Sequence, residues 1–267
     1  MTSLFSTSAY ESNKPKFVKL ECTNGPESVF RLPRIPLAEE SDERKALRNK
    51  LRAEAKGARS EMPALYRAHK SSELCKRLEE SLALTLGITG INSSNAIVAV
   101  YSAFPEEVDL HDFIETAYAQ GCTVAFPCMV KDARGTGCTQ QTMEMRSVPA
   151  ELWQSNQVPF LNNPLKRYSH DDEELQLYPY ISAKELTMIT VPVVGFDSHG
   201  NRLGYGAGNY DRYLTQIAQF DKENGREDRR SNNYCCSCRI VGVAFAEQQV
   251  DDIPTEEHDI PLTILSL

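Results

Sequence analysis

The sequence predicts an α/β fold in three layers, with a mainly parallel, Rossmann-like sheet and helices on both of its faces. Three observations support this class. Short, continuously apolar segments recur along the chain, they alternate with segments of helical periodicity, and one strand–helix–strand unit fits within about thirty residues. Apolar residues make up 41% of the 267 residues, so the chain can bury a large core.

The N-terminal part predicts an extension and two helices. Residues 1–40 contain four prolines and lack periodicity, so we expect them outside a single domain of residues 41–267. Ser41 and Asp42 offer an N-cap to a highly charged segment, which predicts a surface helix with a basic face. After Pro63, leucines at helical spacing predict an amphipathic helix (Leu65, Leu74, Leu78 and Leu82).

The middle of the chain predicts the βαβ unit. NAIVAVYSAF (95–104) is typical of a buried strand, LHDFIETAYAQ (110–120) of a helix and TVAFP (123–127) of a second strand. MEMRSV (143–148) predicts another strand, and residues 149–183 predict a loop with a short helix.

The C-terminal part predicts two further strands around a helix. LTMITVPVVGF (186–196) is a third apolar strand, and NYDRYLTQIAQF (209–220) is the helix after it. Residues 221–239 are polar and predict a flexible insertion, and RIVGVAF (239–245) is the last clear strand.

Charge and cysteines limit the partners and the compartment. A net charge of -8 argues against a nucleic-acid-binding surface, and no apolar run approaches the roughly 20 residues of a membrane helix. Eight cysteines without a secretory signal favour a reducing, cytoplasmic compartment, with a mitochondrial transit peptide as the minority alternative. Cys235, Cys236 and Cys238 lack the second half that a zinc site needs.

The segment GFDSHGNRLGYGAGNYDRYL (195–214) carries the main functional signal. It places Gly200, Gly204, Gly206 and Gly208 between a strand and a helix. Such a turn suits a phosphate, because the first amides of a helix lack internal partners and the helix dipole adds positive potential. The spacing matches neither GxxxxGK[ST] nor GxGxxG, so a tight turn without a ligand stays an alternative. Arg202 and Asp211 favour a nucleotide, which needs a cation for phosphate and a carboxylate for magnesium.

Five segments, in order along the chain, resemble the 5-formyltetrahydrofolate cyclo-ligase (methenyltetrahydrofolate synthetase) family. FDSHGNRLGYGAGNYDRYL resembles its signature, roughly FDxxGxRLGxGxGYYDxxL, and RKALR resembles its basic helix motif. AVYSAFPEEVD, VAFP and VGVAFAEQQVDDIPTEEHDIPL resemble its strand-then-glutamate element, its proline-ended strand and its closing segment. The resemblance implies conversion of 5-formyltetrahydrofolate and ATP, with Mg²⁺, to 5,10-methenyltetrahydrofolate, ADP and phosphate.

The resemblance also implies roles for individual residues. Glu107 would face the folate near the formyl group, and Arg202 would be the second catalytic residue. Ser102 and Phe104 would line the pterin pocket, and Asp211 would hold Mg²⁺. His258 and Asp259 would be structural. The ATP site would comprise Arg48 with either Arg44 or Lys45, together with Arg202, Gly204, Tyr205, Gly206, Ala207, Gly208, Asn209, Tyr210 and Asp211.

Taken without the resemblance, the same residues have simpler interpretations. The charge run around Arg48 is also typical of a solvated helix face, and Asp211 of a carboxylate that complements a helix dipole. Glu107 could equally be a surface acid in a strand-to-helix loop, and core packing would explain Phe104 as well.

Three departures from the family pattern leave an alternative open. Asn209 stands where the family has tyrosine, Asn162-Asn163-Pro164 lacks the family's acid, and Thr263 replaces an aspartate. The leading hypothesis is a monomeric enzyme whose partners are the two small-molecule substrates, without nucleic acid or membrane. The alternative is a weakly active or inactive paralogue that binds nucleotide or folate. A sugar-phosphate isomerase or acyl-transferase would not need Asp211 and a basic first helix together.

Overall fold

The computed structural model describes residues 41–131, 141–223, 238–255 and 259–267. The predicted extension (1–40), most of the predicted insertion (224–237, with Cys235 and Cys236) and His258 lie outside the described residues. The helices are α1 (Asp42–Glu61), α2 (Ala64–Thr89), α3 (His111–Ala119), α4 (Ala150–Gln154), α5 (Pro159–Asn162) and α6 (Asn209–Glu223). The strands are β1 (Ile97–Ala99), β2 (Thr123–Lys131), β3 (Gln141–Ser147), β4 (Tyr180–Ile181), β5 (Met188–Pro192), β6 (Gly195–Phe196), β7 (Arg202–Leu203), β8 (Arg239–Ala244) and β9 (Thr263–Ser266).

The central sheet confirms the predicted α/β class. Its seven strands run in the order β4-β3-β2-β1-β5-β8-β9. The five from β2 to β9 are parallel, whereas β3 pairs antiparallel with β2 and β4 with β3. β6 and β7 form a separate antiparallel hairpin. None of the helices in the described ranges is long and apolar enough to cross a membrane.

Helices cover both faces of the sheet, as predicted. Side chains of a strand alternate between faces, so Val98 and Val124 join one core and Ala99 and Ala125 the other. The first core packs against α2 and α3, and the second against α6. The prediction for Leu65 is wrong, because this residue is 87% exposed. Nine residues separate it from Leu74, which at 3.6 residues per turn places it about half a turn away from the buried stripe.

Two predicted boundaries also differ from the structure. The predicted strand 186–196 is interrupted after Pro192, and its end forms β6, which pairs with β7 instead of with the sheet. α6 extends to Glu223 and includes Asp221, which is 1% exposed. Polar composition therefore placed the start of the insertion three residues too early.

α1 packs against the connections that follow the strands instead of against a face of the sheet. Its partners are β6, which follows β5, and the 3₁₀ turn Ala246–Gln248, which follows β8. Leu51 of α1 is buried in a small cluster with Leu203 and Ile253. α1 is thus a surface helix, as predicted, and it lies at the carboxyl edge of the parallel sheet.

Candidate active site

The candidate site lies at the carboxyl edge of the sheet, where the strand order changes direction. From β1 the chain passes to β2 on one side and later to β5 on the other side. In open α/β sheets, ligands bind at such a switch point. A narrow crevice at this point is lined by Tyr101 and Glu107 after β1, Val193 after β5, Gln248 after β8, and Arg59 of α1.

Glu107 is the buried carboxylate of this crevice. It is 7% exposed, and its Oε2 accepts a hydrogen bond from the backbone N–H of Phe104 at 2.9 Å. Its Oε1 accepts a hydrogen bond of 2.6 Å from the hydroxyl of Tyr205, a residue of the glycine-rich loop. Burial raises the pKa of Tyr205 to about 12, and the hydrogen bond to Glu107 contributes. The phenol therefore stays a donor at neutral pH, and Tyr205 joins the loop to the carboxylate.

An exposed aromatic surface adjoins Glu107. Phe104 and Tyr205 pack edge to face, with ring centroids 5.8 Å apart, and both rings stay about half exposed. Nζ of Lys56 lies 5.0 Å from the centroid of Tyr205. Ser102 is exposed on the same connection as Phe104. This surface can contact a planar ring, and its open side is next to the carboxylate.

The glycine-rich loop requires glycine at defined positions. Gly206 and Gly208 have φ values of 100° and 65°, in the left-handed region that other residues rarely adopt. Tyr205, Gly206 and Ala207 are exposed, with Gly204 partly exposed before them. The loop leads directly into α6, so the free amides of its first turn face the same region.

Arg202 and Asp211 form an ion pair across the base of this loop. Nη2 of Arg202 donates to Oδ1 of Asp211 at 2.7 Å, and the Arg202 side chain is only 6% exposed, against 36% for Asp211. Tyr210 is buried beside them. Burial, and after it the charge of Glu107, raises the pKa of Tyr210 far above its ordinary value.

Asn209 lies at the start of α6 with a partner of its own. Its Oδ1 accepts a hydrogen bond of 2.7 Å from Nη2 of Arg212. Its Nδ2 lies 4.0 Å from the sulfur of Met129. Its side chain is therefore already engaged, and it offers a ligand no aromatic face.

The basic residues of α1 contact two different segments. Nη1 of Arg48 donates to Oδ2 of Asp259 at 2.9 Å and to the carbonyl of Pro254 at 3.1 Å, so it binds the closing segment. Around the helix axis, Arg44 lies about 40° from Arg48 and Lys45 about 60° from it in the opposite direction, so both are near the same side. Both are exposed.

Arg52 and Arg59 are site residues that the sequence analysis missed. Nε of Arg52 donates to the carbonyl of Gly204 at 2.9 Å, which ties the loop to α1. Arg52 is one turn beyond Arg48, and this i, i+4 spacing was the available signal. Arg59 is 4% exposed and approaches the Tyr205 hydroxyl, a contact for which composition gave no signal.

Asp197 anchors the hairpin that presents the loop, and it too was missed. It is 3% exposed and accepts four hydrogen bonds: from the backbone N–H groups of His199, Asn201 and Ile253 and from the Asn201 side chain. Burial alone raises the pKa of Asp197, but these hydrogen bonds outweigh it and hold the pKa below its ordinary value.

Unpaired polar atoms concentrate around the site. In the part of the chain that the structure describes, eight buried side-chain nitrogen or oxygen atoms have no hydrogen-bond partner. Four of them belong to three site residues: Nε and Nη1 of Arg59, Nε of Arg202, and the hydroxyl of Tyr210. Because buried polar groups are nearly always paired, such a concentration is typical of a functional site.

Fold and site together define an α/β protein with a glycine-rich loop that leads into a helix and a buried carboxylate at the switch point of a parallel sheet. The chain belongs to the 5-formyltetrahydrofolate cyclo-ligase family, whose model matches residues 40–267. The 5-formyltetrahydrofolate cyclo-ligase of Mus musculus is 26% identical over 209 residues, which cover 77% of this chain and 89% of the relative. That of Haemophilus influenzae is 26% identical over 165 residues, covering 62% of this chain and 72% of the relative.

Two solved structures share the fold. One is a 5,10-methenyltetrahydrofolate synthetase from Mycoplasma pneumoniae, with a TM-score of 0.51 and 18% identity over 81% of this chain and 96% of that chain. The other is the 5,10-methenyltetrahydrofolate synthetase of Aquifex aeolicus, with a TM-score of 0.51 and 19% identity over 82% of this chain and 89% of that chain.

Proposed function

We propose that this chain converts 5-formyltetrahydrofolate to 5,10-methenyltetrahydrofolate with hydrolysis of ATP to ADP and phosphate. Membership of the cyclo-ligase family supports this reaction, and the relatives named above carry that activity in their names. One observation carries the assignment: the 2.6 Å hydrogen bond between Tyr205 and Glu107 brings the glycine-rich loop next to a buried carboxylate. A reaction between two substrates needs a phosphate site and a folate site in contact, and this bond joins them.

The phosphates of ATP fit the glycine-rich loop. Exposed backbone at Gly206 and Ala207 allows close approach, and the first amides of α6 are free to donate. Arg52 and Arg202 add positive charge at the two ends of the loop. Arg48 belongs to the same proposed site, with either Arg44 or Lys45 as its basic partner.

A magnesium ion fits Asp211. Mg²⁺ is usually bound by one or two carboxylates together with substrate phosphates and water. Asp211 offers one partly exposed carboxylate at the end of the loop, and Arg202 already occupies its Oδ1. Among the described residues no group of three or more His, Cys, Asp or Glu could hold a metal. Asp211 is the protein ligand that we propose, and the ion would offset phosphate charge.

The folate fits the aromatic surface beside Glu107. The pterin would lie against Phe104 and Tyr205, with Ser102 at its edge and the formyl group near Glu107. The formyl oxygen attacks the γ-phosphorus, and the bond from that phosphorus to ADP breaks. The nitrogen at position ten then attacks the activated carbon and loses its proton, and phosphate departs. The carboxylate of Glu107 would stabilise the positive charge that develops on the folate.

A second candidate function is a paralogue that binds nucleotide or folate and turns over poorly. The observation that favours it is Asn209, which occupies the family's tyrosine position and is paired with Arg212. The resemblance also expects an aspartate where Thr263 begins β9.

We place the protein in the cytoplasm and expect a monomer.

The test is the absorbance of the methenyl product with purified protein, 5-formyltetrahydrofolate and MgATP. We expect the absorbance of the methenyl product to rise only when both substrates are present, with ADP released in equal amount. Calorimetry measures the binding of both ligands. If both bind but the product absorbance does not rise, the enzymatic proposal is overturned and the paralogue is supported.

A further inference from the structure

Arg59 is a buried cation whose position packing alone does not explain. It lies near the end of α1, is 4% exposed, and borders the crevice that also contains Glu107. Its Nε and Nη1 have no hydrogen-bond partner. A buried guanidinium with two unpaired nitrogens is costly, because both its charge and its donors have left water. A helix that needed only packing here would be more stable with an apolar residue.

The third nitrogen of Arg59 points at the active-site phenol. Nη2 lies 3.4 Å from the oxygen of Tyr205, and that hydroxyl in turn donates to Glu107 at 2.6 Å. Nη2 is also 3.7 Å from Oε2 of Glu106, a carboxylate whose side chain is 47% exposed. This ion pair joins a buried guanidinium to a half-exposed carboxylate, and it leaves Nε and Nη1 of Arg59 unpaired. The contact with Tyr205 is the one that leads on to Glu107.

The three side chains have complementary hydrogen-bonding needs. The Tyr205 oxygen can accept one hydrogen bond while its O–H donates another. A donation from Arg59 fills the acceptor and turns the O–H towards Glu107.

We propose, as an extension of the proposed function, that Arg59 is a positioning residue, which acts through Tyr205 to fix the Glu107 carboxylate for the folate. Arg59 lies on α1, Tyr205 in the glycine-rich loop and Glu107 after β1, so this chain of contacts holds three separate segments in one geometry. These contacts would fix the orientation of the Glu107 carboxylate. Removing them should therefore lower turnover and folate affinity more than it lowers the stability of the fold.

The experiment compares Arg59→Met, Tyr205→Phe and the double variant in kcat, in KM for each substrate, and in thermal stability. Misplacing a reacting group by 1 Å can cost about 10²-fold, so we expect each single variant to lose about 10- to 100-fold in kcat. KM for ATP should change by less than about threefold, since the phosphate loop keeps its Arg52 contact. Lys50→Met, at an exposed α1 position with a side chain 72% exposed, is the matched control and should resemble wild type.

Coupling distinguishes this proposal from a general loss of charge. In the Tyr205→Phe background, Arg59→Met should cost less than about threefold further, since residues that act as a unit are not additive. Multiplying effects, or an unchanged kcat in Arg59→Met, would overturn the proposal. Arg59→Lys keeps the charge but not the planar fork, so full recovery by lysine would also contradict it.

Two additional measurements keep the proposal testable in every case. Tyr205→Phe changes one half-exposed hydroxyl and tests the contact even where Arg59→Met fails to fold; unchanged kcat in that variant would refute the proposal. The dissociation constant of 5-formyltetrahydrofolate is measured for all variants. If the wild-type protein shows no turnover, the proposed function is refuted. The proposal for Arg59 is then decided by the dissociation constant of 5-formyltetrahydrofolate: each substitution should weaken binding, and the double variant should bind no more weakly than the single variants.

Discussion

Replacing Asp197 by alanine should destabilise the whole domain, since this carboxylate joins two distant segments. Its Oδ1 accepts from the backbone N–H groups of His199 and Asn201, and its Oδ2 from the Asn201 side chain and the backbone N–H of Ile253. The first three bonds close the turn between β6 and β7. The fourth attaches that turn to the segment after β8.

The magnitude follows from what each donor loses in Asp197→Ala. The donors of His199 and Asn201 belong to a partly exposed turn and can bind water, at about 0.5–1.5 kcal/mol each. The N–H of Ile253 makes a buried hydrogen bond, and leaving it unpaired costs about 1–3 kcal/mol. For the three turn donors and Ile253 together, the free energy of unfolding should fall by about 2.5–7.5 kcal/mol, which for a domain of this size lowers Tm by roughly 5–30 °C.

The pH dependence of this effect has a definite sign. The pKa of Asp197 is held below its ordinary value in the folded protein. A group with a depressed pKa contributes stability that is fully present above its unfolded pKa, about 3.9 for aspartate, and is lost as the pH falls through the folded pKa. The difference in unfolding free energy between wild type and Asp197→Ala should be constant from about pH 5 upwards and shrink below about pH 4.

Urea unfolding and thermal melts at several pH values measure both quantities. Asp252→Ala is the matched control, because this side chain lies next to Ile253, is 87% exposed and only pairs with His199 at 3.6 Å. A melting temperature of Asp197→Ala within about 2 °C of wild type would refute the reasoning, since no loss of a cooperative buried anchor is that small.

Three further variants test the proposed substrate sites. Asp211→Asn keeps an acceptor for Arg202 but removes the charge for Mg²⁺, so kcat should fall by about 10²-fold or more with Tm nearly unchanged; full activity would exclude Asp211 as the metal ligand. Arg52→Met removes the hydrogen bond to the Gly204 carbonyl. The loss of a charged hydrogen bond of about 1.5 kcal/mol should raise KM for ATP about tenfold. An unchanged KM would mean that α1 does not contribute to nucleotide binding. Asn209→Tyr introduces the family's ring, worth about 0.5–1.5 kcal/mol, so kcat/KM should rise by about two- to tenfold; a decrease would mean that the Asn209–Arg212 pair is itself adapted to the substrate.

The layers of the fold could be predicted from the sequence because they depend on local periodicity. Val98 and Val124 lie in continuously apolar segments, and Leu74, Leu78 and Leu82 repeat at the period of a helix, so the burial of each follows from its neighbours in the chain. The pairing of β3 with β2 in antiparallel orientation could not be predicted in this way. Its register depends on residues that face each other, such as Phe126 and Arg146, which are far apart in sequence.

The site was predictable only where a residue type carries its own chemistry. The left-handed φ of Gly206 and Gly208 agrees with the glycine pattern of the loop. The ion pair between Arg202 and Asp211 was not predicted, because the sequence assigned one residue to phosphate and the other to Mg²⁺. The contacts of Arg59 and Asp197 gave no such signal. A buried arginine and a solvated one look alike in a charged helix, and their difference depends on which segment packs over them.

α1 explains why these missed residues belong together. Along one helix, Arg48 binds the closing segment at Asp259, Arg52 binds the glycine-rich loop at Gly204, and Arg59 approaches Tyr205 beside Glu107. The contact of Arg48 reaches the closing segment, and those of Arg52 and Arg59 reach neighbouring residues of the glycine-rich loop. The bonds of Arg48 to Asp259 and of Arg52 to Gly204 are charge-assisted, each 2.9 Å long. Because the same helix contacts the glycine-rich loop and, through Tyr205, approaches Glu107, a small displacement of α1 would alter both proposed substrate sites at once. The sparse apolar content of α1 is consistent with this role, since its buried side is occupied by guanidinium groups as well as by Leu51 and Ala55.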